Sequence, residues 1–371
     1  MLTRAAVLSD VPGRWDVREV ELDAPEDGEV LVRVAASGLC HSDDHFATGD
    51  IPVGHLPLCG GHEGSGIVEE VGPGVRELRP GDHIVTSFIP SCGRCRWCAT
   101  GRQNLCDNGA RMLTGTQLDG TFRMHSGGSD VGQAGGVSTF SEWSVMSQWS
   151  CIKIPPDVPL EVAALLGCGV PTGWGSAVNA AGIEPGDVVL VIGVGGIGIN
   201  AVQGARYAGA KNVVAIDPLE NKREKAMELG ATHAFATAEE AQEAITQMTR
   251  GQGADSAILT VDLMTAEVVG AGFNAVGKDG IVVLTGLNKL LEPTIQLPGT
   301  ILTLFRKTVK GSLFGDCNPT TDIPKILGLY QAGDLKLDEI ITRTYTLDQV
   351  NEGYEDLLAG KNVRGVVVHE H

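Results

Sequence analysis

The sequence predicts a chain of two parts, one mainly β and one a doubly wound α/β sheet of parallel strands. The first roughly 150 residues show short alternating segments punctuated by Gly and Pro, as at Gly72-Pro73-Gly74. From Asp187 onward, continuous Val/Ile runs alternate with helical patterns, which is typical of parallel strands buried on both faces. At 371 residues, the chain also exceeds what one hydrophobic core usually supports.

The strands of the first part are predicted at 29–36, 64–71 and 83–86. Those of the second part are predicted at 188–192, 213–216, 257–261, 281–284 and 309–313, with a further strand at 233–236. After residue 314 the parallel pattern ends. Amphipathic helices are predicted there at 323–332 and 347–359, with a closing strand at 363–368.

Composition excludes several classes of function. The net charge of −18 disfavours binding to nucleic acid or to anionic lipid, because both require Lys/Arg surfaces. No apolar run approaches the ~20 residues of a membrane span, and the N-terminus lacks the apolar core of a signal peptide. Nine cysteines without an export signal indicate a reducing compartment in which thiols bind metals. We therefore expect a cytoplasmic protein with no membrane or nucleic-acid partner.

Four cysteines fall within fifteen residues, as Cys92-Gly-Arg-Cys95-Arg-Trp-Cys98-(x7)-Cys106. Tetrahedral zinc prefers four thiolates, so the spacing predicts a closed structural zinc site. A bacterial iron–sulfur motif would end in C-x3-C-P, whereas seven residues separate Cys98 from Cys106 here, and Asp107 follows. The remaining alternatives are disulfides, which suit small secreted domains, and a chance clustering of cysteines.

A glycine-rich turn follows the predicted strand 188–192 and precedes a helical pattern that runs to Tyr207. Its sequence is Gly193-Val-Gly195-Gly196-Ile197-Gly198. In dinucleotide-binding folds such a turn lets a pyrophosphate lie on the backbone N–H groups of the helix N-terminus. Asp217, 24 residues after Gly193, ends the next strand and would accept hydrogen bonds from the adenosine ribose. Its carboxylate would repel a 2′-phosphate, which favours NAD over NADP. An ordinary strand–turn–helix is the alternative.

Cys40, His62 and Cys168 are three further potential ligands, although a single cysteine is more often a small buried hydrophobic residue. Together with the cysteine motif and the glycine turn, they give the chain a resemblance to the zinc-dependent medium-chain alcohol dehydrogenases over essentially its whole length. The resemblance implies a GroES-like catalytic domain from residues 1–170 and 314–371. It also implies an inserted Rossmann NAD-binding domain at 171–313, and an active site in the cleft at the carboxyl ends of the parallel strands.

The resemblance implies that Cys40, His62 and Cys168 bind a catalytic zinc and leave its fourth position to water or substrate. Glu63 matches the family's acid beside the metal, and Asp43 matches the carboxylate that orients the ligand histidine.

Ser42 matches the hydroxyl that contacts the alcohol, and His45 matches the end of the family's proton relay to solvent. A plain surface histidine is the alternative for His45. Phe88 and Leu287 match substrate-pocket positions, although either could equally be a core residue.

Further family positions concern the cofactor. Thr172 and Ile197 match cofactor-binding residues, Lys222 resembles a lysine near the adenosine ribose, and Arg364 resembles an arginine on the pyrophosphate. His41 occupies a position where several relatives carry arginine against the cofactor phosphate. A neutral histidine supplies a hydrogen bond without permanent charge, so the strength and pH dependence of cofactor binding stay open.

Within the family, residues 115–121 and 135–142 resemble a branch with a long loop near the active site, which includes the glutathione-linked formaldehyde dehydrogenases. Residues 88–106 and 174–178 resemble the nitrosoaniline-dependent alcohol dehydrogenases. Those nicotinoproteins keep NAD(H) bound through turnover and pass electrons to an external acceptor.

The expected function is therefore hydride transfer between an alcohol or aldehyde and NAD(H), by a homo-oligomer with two zinc ions per chain. One alternative is a thiol-adduct-dependent formaldehyde dehydrogenase, but the sequence shows no basic residues for its anionic thiol. The alternative of another class is a non-catalytic zinc- and NAD-binding protein, which need not retain Ser42 and the complete set of three ligands.

Overall fold

The computed structural model describes residues 1–287, 289–290 and 295–371, and their contacts divide them into two compact units. Unit 1 comprises Met1–Cys168, Asn318–Gln331 and Leu337–His371, and unit 2 comprises Gly169–Cys317 and Ala332–Lys336. The expected domain limits differ from these units at residues 169–170, 314–317 and 332–336, all of which lie in unit 2.

Hydrogen bonds explain the differences at 314–317 and 332–336. The Cys317 thiol lies 3.4 Å from the carbonyl of Pro171, and the backbone N–H of Lys336 donates to the Gln203 side chain at 2.8 Å. These contacts join both segments to the helices of unit 2.

Strands occur in both units. In chain order, those of the described residues are β1 (Leu2–Leu8), β2 (Trp15–Leu22), β3 (Glu29–Gly38), β4 (Leu58–Cys59), β5 (Gly64–Val71), β6 (His83–Thr86), β7 (Met124–Ser126), β8 (Ser129–Gln133), β9 (Trp143–Ser147), β10 (Cys151–Ile154), β11 (Val188–Ile192), β12 (Asn212–Ile216), β13 (His233–Phe235), β14 (Ala254–Leu259), β15 (Val276–Leu284), β16 (Thr308–Gly311), β17 (Ile341–Tyr345) and β18 (Arg364–Val368).

The helices of the same residues are α1 (His41–Thr48), α2 (Arg96–Ala99), α3 (Leu160–Ala164), α4 (Gly169–Gly175), α5 (Gly198–Tyr207), α6 (Glu220–Glu228), α7 (Ala238–Met248), α8 (Ala266–Ala275), α9 (Gly299–Leu304), α10 (Pro319–Ala332) and α11 (Val350–Leu358). None of them is both long enough and apolar enough to cross a membrane.

Unit 1 is mainly β, as the sequence predicted. Strands β1, β2, β7, β8 and β4 close into a small barrel, and a larger sheet has the order β10-β6-β5-β3-β18-β17, with β9 also paired to β3. The last strand of the chain, β18, therefore pairs with β3 from the beginning of the chain. A buried cluster that includes Leu8, Trp15 and Phe140 packs against Tyr354 of α11.

Unit 2 contains a parallel sheet with the order β13-β12-β11-β14-β15-β16, so the predicted doubly wound arrangement is confirmed. Every residue of β11 is buried, as expected for a strand covered on both faces. Strand β14 runs over Ala254–Leu259 and not over the predicted 257–261. Directly after it, the N–H and the hydroxyl of Thr260 both donate to the carbonyl of Ile192, at 2.9 and 3.2 Å. The strand order reverses between β11 and β14, and crevices at such points are where open α/β sheets bind ligands.

Candidate metal centres and dinucleotide site

Cys92, Cys95, Cys98 and Cys106, here called the four-cysteine loop, converge around α2 with all four sulfurs within 4.8 Å of one another. The Sγ atoms of Cys92 and Cys98 lie 4.0 Å apart, as do those of Cys95 and Cys106. Zn–S bonds of ~2.3 Å at tetrahedral angles place two sulfurs ~3.8 Å apart, so the loop fits one zinc ion. No disulfide links any two cysteines among the described residues, which excludes the disulfide alternative.

Backbone amides stabilise negative charge in this loop. The N–H of Cys95 donates to Cys92 Sγ at 3.4 Å, and the N–H of Cys98 donates to Cys95 Sγ at 3.5 Å. Burial would raise the pKa of Cys95, but amides from Cys98 and Asp107 outweigh it and lower that pKa to about 6. Burial together with neighbouring thiols raises the pKa of Cys98. The amide donors thus favour negative charge on Cys95, and a bound cation would balance the charge of the ionised loop.

Cys40, His62 and Cys168, here called the buried Cys/His site, come from three separate elements of unit 1. Cys40 directly precedes α1, His62 precedes β5, and Cys168 directly precedes α4. Their ligand atoms and one carboxylate oxygen of Glu63 all lie within 4.8 Å of one another, and all four residues are buried. Two thiols and one imidazole form the donor set of a catalytic zinc site with one open position, so these residues fit the metal that the sequence analysis implied.

Asp43 fixes the histidine of this site. Its fully buried carboxylate accepts a hydrogen bond from His62 Nδ1 at 2.8 Å through one oxygen. The other oxygen accepts the N–H of Gly61 at 3.0 Å. Because Nδ1 donates to Asp43, the Nε2 lone pair of His62 is the one available to a metal.

Charges within the buried Cys/His site are strongly coupled. A hydrogen bond from Cys168, together with the positive charges of His62 and Arg364, holds the pKa of Cys40 well below its usual value, although burial opposes this. Burial would lower the pKa of His62, but Asp43 and Cys40 outweigh it and raise that pKa well above its usual value. These shifts favour the thiolate of Cys40, which is the form in which cysteine binds a metal ion.

Glu63 forms a buried ion pair with Arg364 of β18. The pair lies directly against Gly38, where an added Cβ would lie 2.2 Å from Glu63 Oε2 and 2.8 Å from Arg364 Nη2. No larger residue fits at position 38 without moving this pair. The partner that the structure gives Arg364 is thus Glu63, and its role on the cofactor phosphate stays a prediction.

Helix α1 carries the other predicted catalytic residues. Ser42 Oγ lies 3.7 Å from the sulfur of Cys40, and His41 is half-buried at the start of the helix. His45 is only 4% exposed, so the surface-histidine alternative is wrong. Its Nδ1 lies 3.4 Å from Asp50 Oδ2.

The two predicted substrate-pocket residues lie in different units. The ring of Phe88 stands edge-on to His62, with centroids 5.4 Å apart, and Gly135 packs against it. Phe88 therefore lies beside the buried Cys/His site. Leu287 lies in unit 2 and is 43% exposed, so it is not a core residue, and its carbonyl accepts the N–H of Met264.

The glycine turn joins β11 to α5 as predicted. Gly193 has a φ of +85°, which favours glycine, and an added Cβ at Gly198 would lie 1.9 Å from the carbonyl oxygen of Gly193. A Cβ at Gly195 would meet no atom within 4 Å, so the backbone there is open to a ligand. Ile197 directly precedes α5, and Gly196 accepts the Asn200 side-chain amide at 2.8 Å. This geometry fits a pyrophosphate at the N-terminus of α5.

Asp217 directly follows β12 and braces the glycine turn. Its two carboxylate oxygens accept the N–H groups of Val194 and Leu219, each at 3.0 Å. Each oxygen has a second lone pair, which leaves acceptor capacity for the hydroxyls of a ribose. Lys222 on α6 and Thr172 on α4 are both buried side chains of this unit.

Sequence reasoning missed several residues around the buried Cys/His site. The Tyr354 hydroxyl on α11 donates to the carbonyl of Cys40 at 3.3 Å, and the two residues are 314 positions apart. Gly38 and the Glu63–Arg364 pairing were missed for the same reason. No local pattern indicates such contacts, since they form only when the C-terminal segment pairs with β3.

Comparisons with known proteins agree with this geometry. The chain matches the alcohol dehydrogenase GroES-like domain over residues 26–156 and the zinc-binding dehydrogenase domain over residues 196–332. It is similar to an NDMA-dependent alcohol dehydrogenase from Amycolatopsis methanolica, with 55% identity over 369 residues that cover 100% of this chain and 99% of the relative.

Solved structures give the same result. The crystal structure of benzyl alcohol dehydrogenase from Acinetobacter calcoaceticus matches with a TM-score of 0.92 and 30% identity, and the match covers 100% of both chains. A zinc-binding dehydrogenase from Sinorhizobium meliloti, solved with bound NADP, matches with a TM-score of 0.78 and 27% identity over 99% of both chains.

Proposed function

Because the chain belongs to the zinc-dependent medium-chain alcohol dehydrogenases, we propose that it transfers hydride between a small alcohol and NAD. Cys40, His62 and Cys168 would hold a catalytic zinc, and the glycine turn with Asp217 would hold the dinucleotide. When bound, zinc supplies a Lewis acid for the alcohol oxygen and NAD supplies the hydride acceptor. The four-cysteine loop would hold a second, structural zinc.

The protein's own residues orient these ligands and move the proton. Asp43 keeps Nε2 of His62 directed at the other donors, which is the orientation a metal requires. Ser42, beside Cys40, would accept the hydroxyl proton of the alcohol while donating its own toward His45. Phe88 would contact the apolar part of the substrate, since its ring packs against that of His62.

The single observation that carries this proposal is the convergence of Cys40, His62 and Cys168 from elements 128 positions apart in sequence. Two thiols and an imidazole buried beside a carboxylate are costly to hold together, and a folded protein keeps such groups mainly where they bind a ligand or take part in chemistry.

The proposal is tested by incubating the purified protein with a panel of primary and secondary alcohols and following nicotinamide reduction by absorbance. Ser42→Ala should lower the rate by about 10²-fold with unchanged thermal stability, because it removes one proton-transfer group. Oxidation of no alcohol by a protein loaded with zinc and NAD would refute the proposal. A protein that binds NADP more tightly than NAD would refute the role assigned to Asp217.

A second proposal concerns the fate of the cofactor, and it is supported by the 55% identity to an NDMA-dependent alcohol dehydrogenase. We propose that NAD(H) stays bound through turnover and that an external acceptor reoxidises it. Gel filtration followed by denaturation should then release about one NAD(H) per chain. Alcohol oxidation should depend on an artificial acceptor and respond little to added NAD. A cofactor-free protein that reduces added NAD with ordinary saturation would leave hydride transfer intact and refute retention.

A further inference from the structure

His45 and Asp50 are brought together by the end of α1. Gly49 has a φ of +86°, which turns the chain back over the helix. The N–H groups of Gly49 and Ile51 both donate to the carbonyl of His45, at 3.1 and 3.2 Å. Asp50, the residue between them, is therefore held against the imidazole ring of His45, with its Oδ2 3.4 Å from His45 Nδ1.

The two side chains differ in their access to water. The side chain of His45 is 6% exposed, whereas that of Asp50 is 21% exposed. The Thr48 hydroxyl also donates to Asp50 Oδ2, at 3.0 Å, and so fixes the carboxylate in place. The buried imidazole of His45 therefore has the partly exposed carboxylate of Asp50 within hydrogen-bond range, and that carboxylate could receive a proton from it.

We propose that Asp50 is the exit residue through which protons pass between His45 and bulk water. The inference rests on the proposed function, because alcohol oxidation is the step that releases the proton. His45 accepts a proton on Nε2 and releases the one on Nδ1 to Asp50 Oδ2. The carboxylic acid then gives that proton to water, and no electrons move in this step.

Other titratable groups surround the pair. His41 and Asp44 lie on α1 itself, and Tyr354 reaches the first turn of α1 from α11 through the Cys40 carbonyl. Asp50 combines a carboxylate within hydrogen-bond range of the His45 ring with partial exposure to solvent. Asp50 acts through His45 and touches no substrate, so it is a positioning and relay residue.

The test compares Asp50→Asn with the wild type and with Asp16→Asn, which removes an exposed carboxylate of β2. Asp50→Asn should slow alcohol oxidation near neutral pH about tenfold, raise the solvent deuterium isotope effect, and respond to added carboxylate or imidazole buffer. Asp16→Asn should behave like the wild type in all three measurements. Asp50→Glu should recover most of the lost rate, because it restores a carboxylate.

A double-mutant cycle identifies the route. In a His45→Gln background, Asp50→Asn should cause no further loss, because the two residues serve the same proton. A second measurement does not depend on turnover, namely the pH dependence of hydrogen–deuterium exchange at the ring carbon of His45. Its midpoint should lie at lower pH in Asp50→Asn than in the wild type, because a neighbouring carboxylate favours the charged ring. Additive losses, or an unchanged rate, isotope effect and exchange midpoint, would overturn the proposal.

Two results separate this inference from the proposed function. If the wild type oxidises no alcohol, the proposed function fails, and a shifted exchange midpoint still shows whether Asp50 couples to His45. If Asp50→Asn does not fold, Thr48→Val is the variant to measure in its place. That variant loses the hydroxyl that anchors Asp50 and should slow oxidation about threefold, again only when His45 is present.

Discussion

The four-cysteine loop and the buried Cys/His site differ in where the partners of their sulfurs come from. In the loop, sulfurs accept N–H groups from residues three positions ahead, and Cys92 and Cys95 are partly exposed. In the buried site, the charge of Cys40 is balanced by His62 and Arg364, which belong to other elements of the sheet.

This difference shows how each cluster is stabilised. The loop carries its own amide donors, so its affinity for a cation is a property of about fifteen residues and contributes to local folding. The buried site instead relies on the completed sheet to hold Asp43, Glu63 and Arg364 around it. Damage to the loop should therefore appear as lost stability, and damage to the buried site should appear as lost chemistry.

Cys168→Ser should show the largest effect. It removes one ligand of the buried site, and loss of a Lewis acid worth several kcal/mol corresponds to a fall in alcohol oxidation of at least about 10³-fold. Thermal unfolding and NAD binding should stay close to wild type. Cys151→Ser is the matched control, because Cys151 is a buried thiol outside both clusters. Equal losses of activity in the two variants would contradict the division of roles.

Cys98→Ser should act on the four-cysteine loop and lower the stability of the protein. Opening a closed thiolate site should remove one zinc per chain and lower the free energy of unfolding by several kcal/mol, or Tm by about 10 °C. Metal analysis and calorimetry measure both effects. The fraction that remains folded should keep its turnover per catalytic zinc. If the variant loses one zinc per chain but unfolds at the same temperature as the wild type, the loop does not stabilise the fold.

Acid should lower the stability of the folded state through His369. The Nε2 of this residue donates to the carbonyl of Thr139 at 3.0 Å. Burial lowers the pKa of His369 to about 4, compared with about 6.5 in an unfolded chain. The neutral ring therefore favours the folded state above pH ~6.5, and this stability is lost as pH falls from ~6.5 to ~4. The shift corresponds to about 3 kcal/mol.

His369→Gln should remove that pH dependence, which denaturant unfolding at several pH values would measure. Partly exposed His55 supplies the control variant His55→Gln. An acid transition that is identical in wild type and His369→Gln would exclude His369 as its source.

Asp43→Asn should show the smallest of these effects. Replacing the carboxylate that orients a ligand histidine typically weakens metal binding 10–100-fold. Competition with a chelator should therefore release the catalytic zinc first in the variant and leave the zinc of the loop unaffected. Simultaneous release of both metals would mean that the two sites are not independent.

The same contrast explains what could be predicted from the sequence. The four-cysteine loop and the glycine turn are local motifs, and the strands that precede them, β6 and β11, have the predicted bounds. Cys40, His62 and Cys168 carry little signal individually, and only resemblance to a family connected them. The Glu63–Arg364 pair could not be predicted, because it depends on β18 pairing with β3.

Domain limits were harder to predict for a related reason. Residues 332–336 follow the long helix α10 in sequence, and no pattern in them shows that Lys336 bonds to Gln203 of unit 2. The burial of His45 beside Asp50 depends likewise on the turn at Gly49 and on packing around α1, neither of which hydrophobic periodicity indicates.

The two backbone amides bound by Asp217 matter for any attempt to change the cofactor preference. Its carboxylate accepts two backbone amides, from Val194 and Leu219, in addition to its proposed contact with a ribose. A redesign for NADP that replaces Asp217 with glycine would remove the expected repulsion toward a 2′-phosphate. It would also leave both amides without this acceptor and loosen the turn that we propose holds the pyrophosphate. Asp217→Asn keeps one acceptor oxygen and removes the charge. It is the better starting point for changing coenzyme preference without losing affinity.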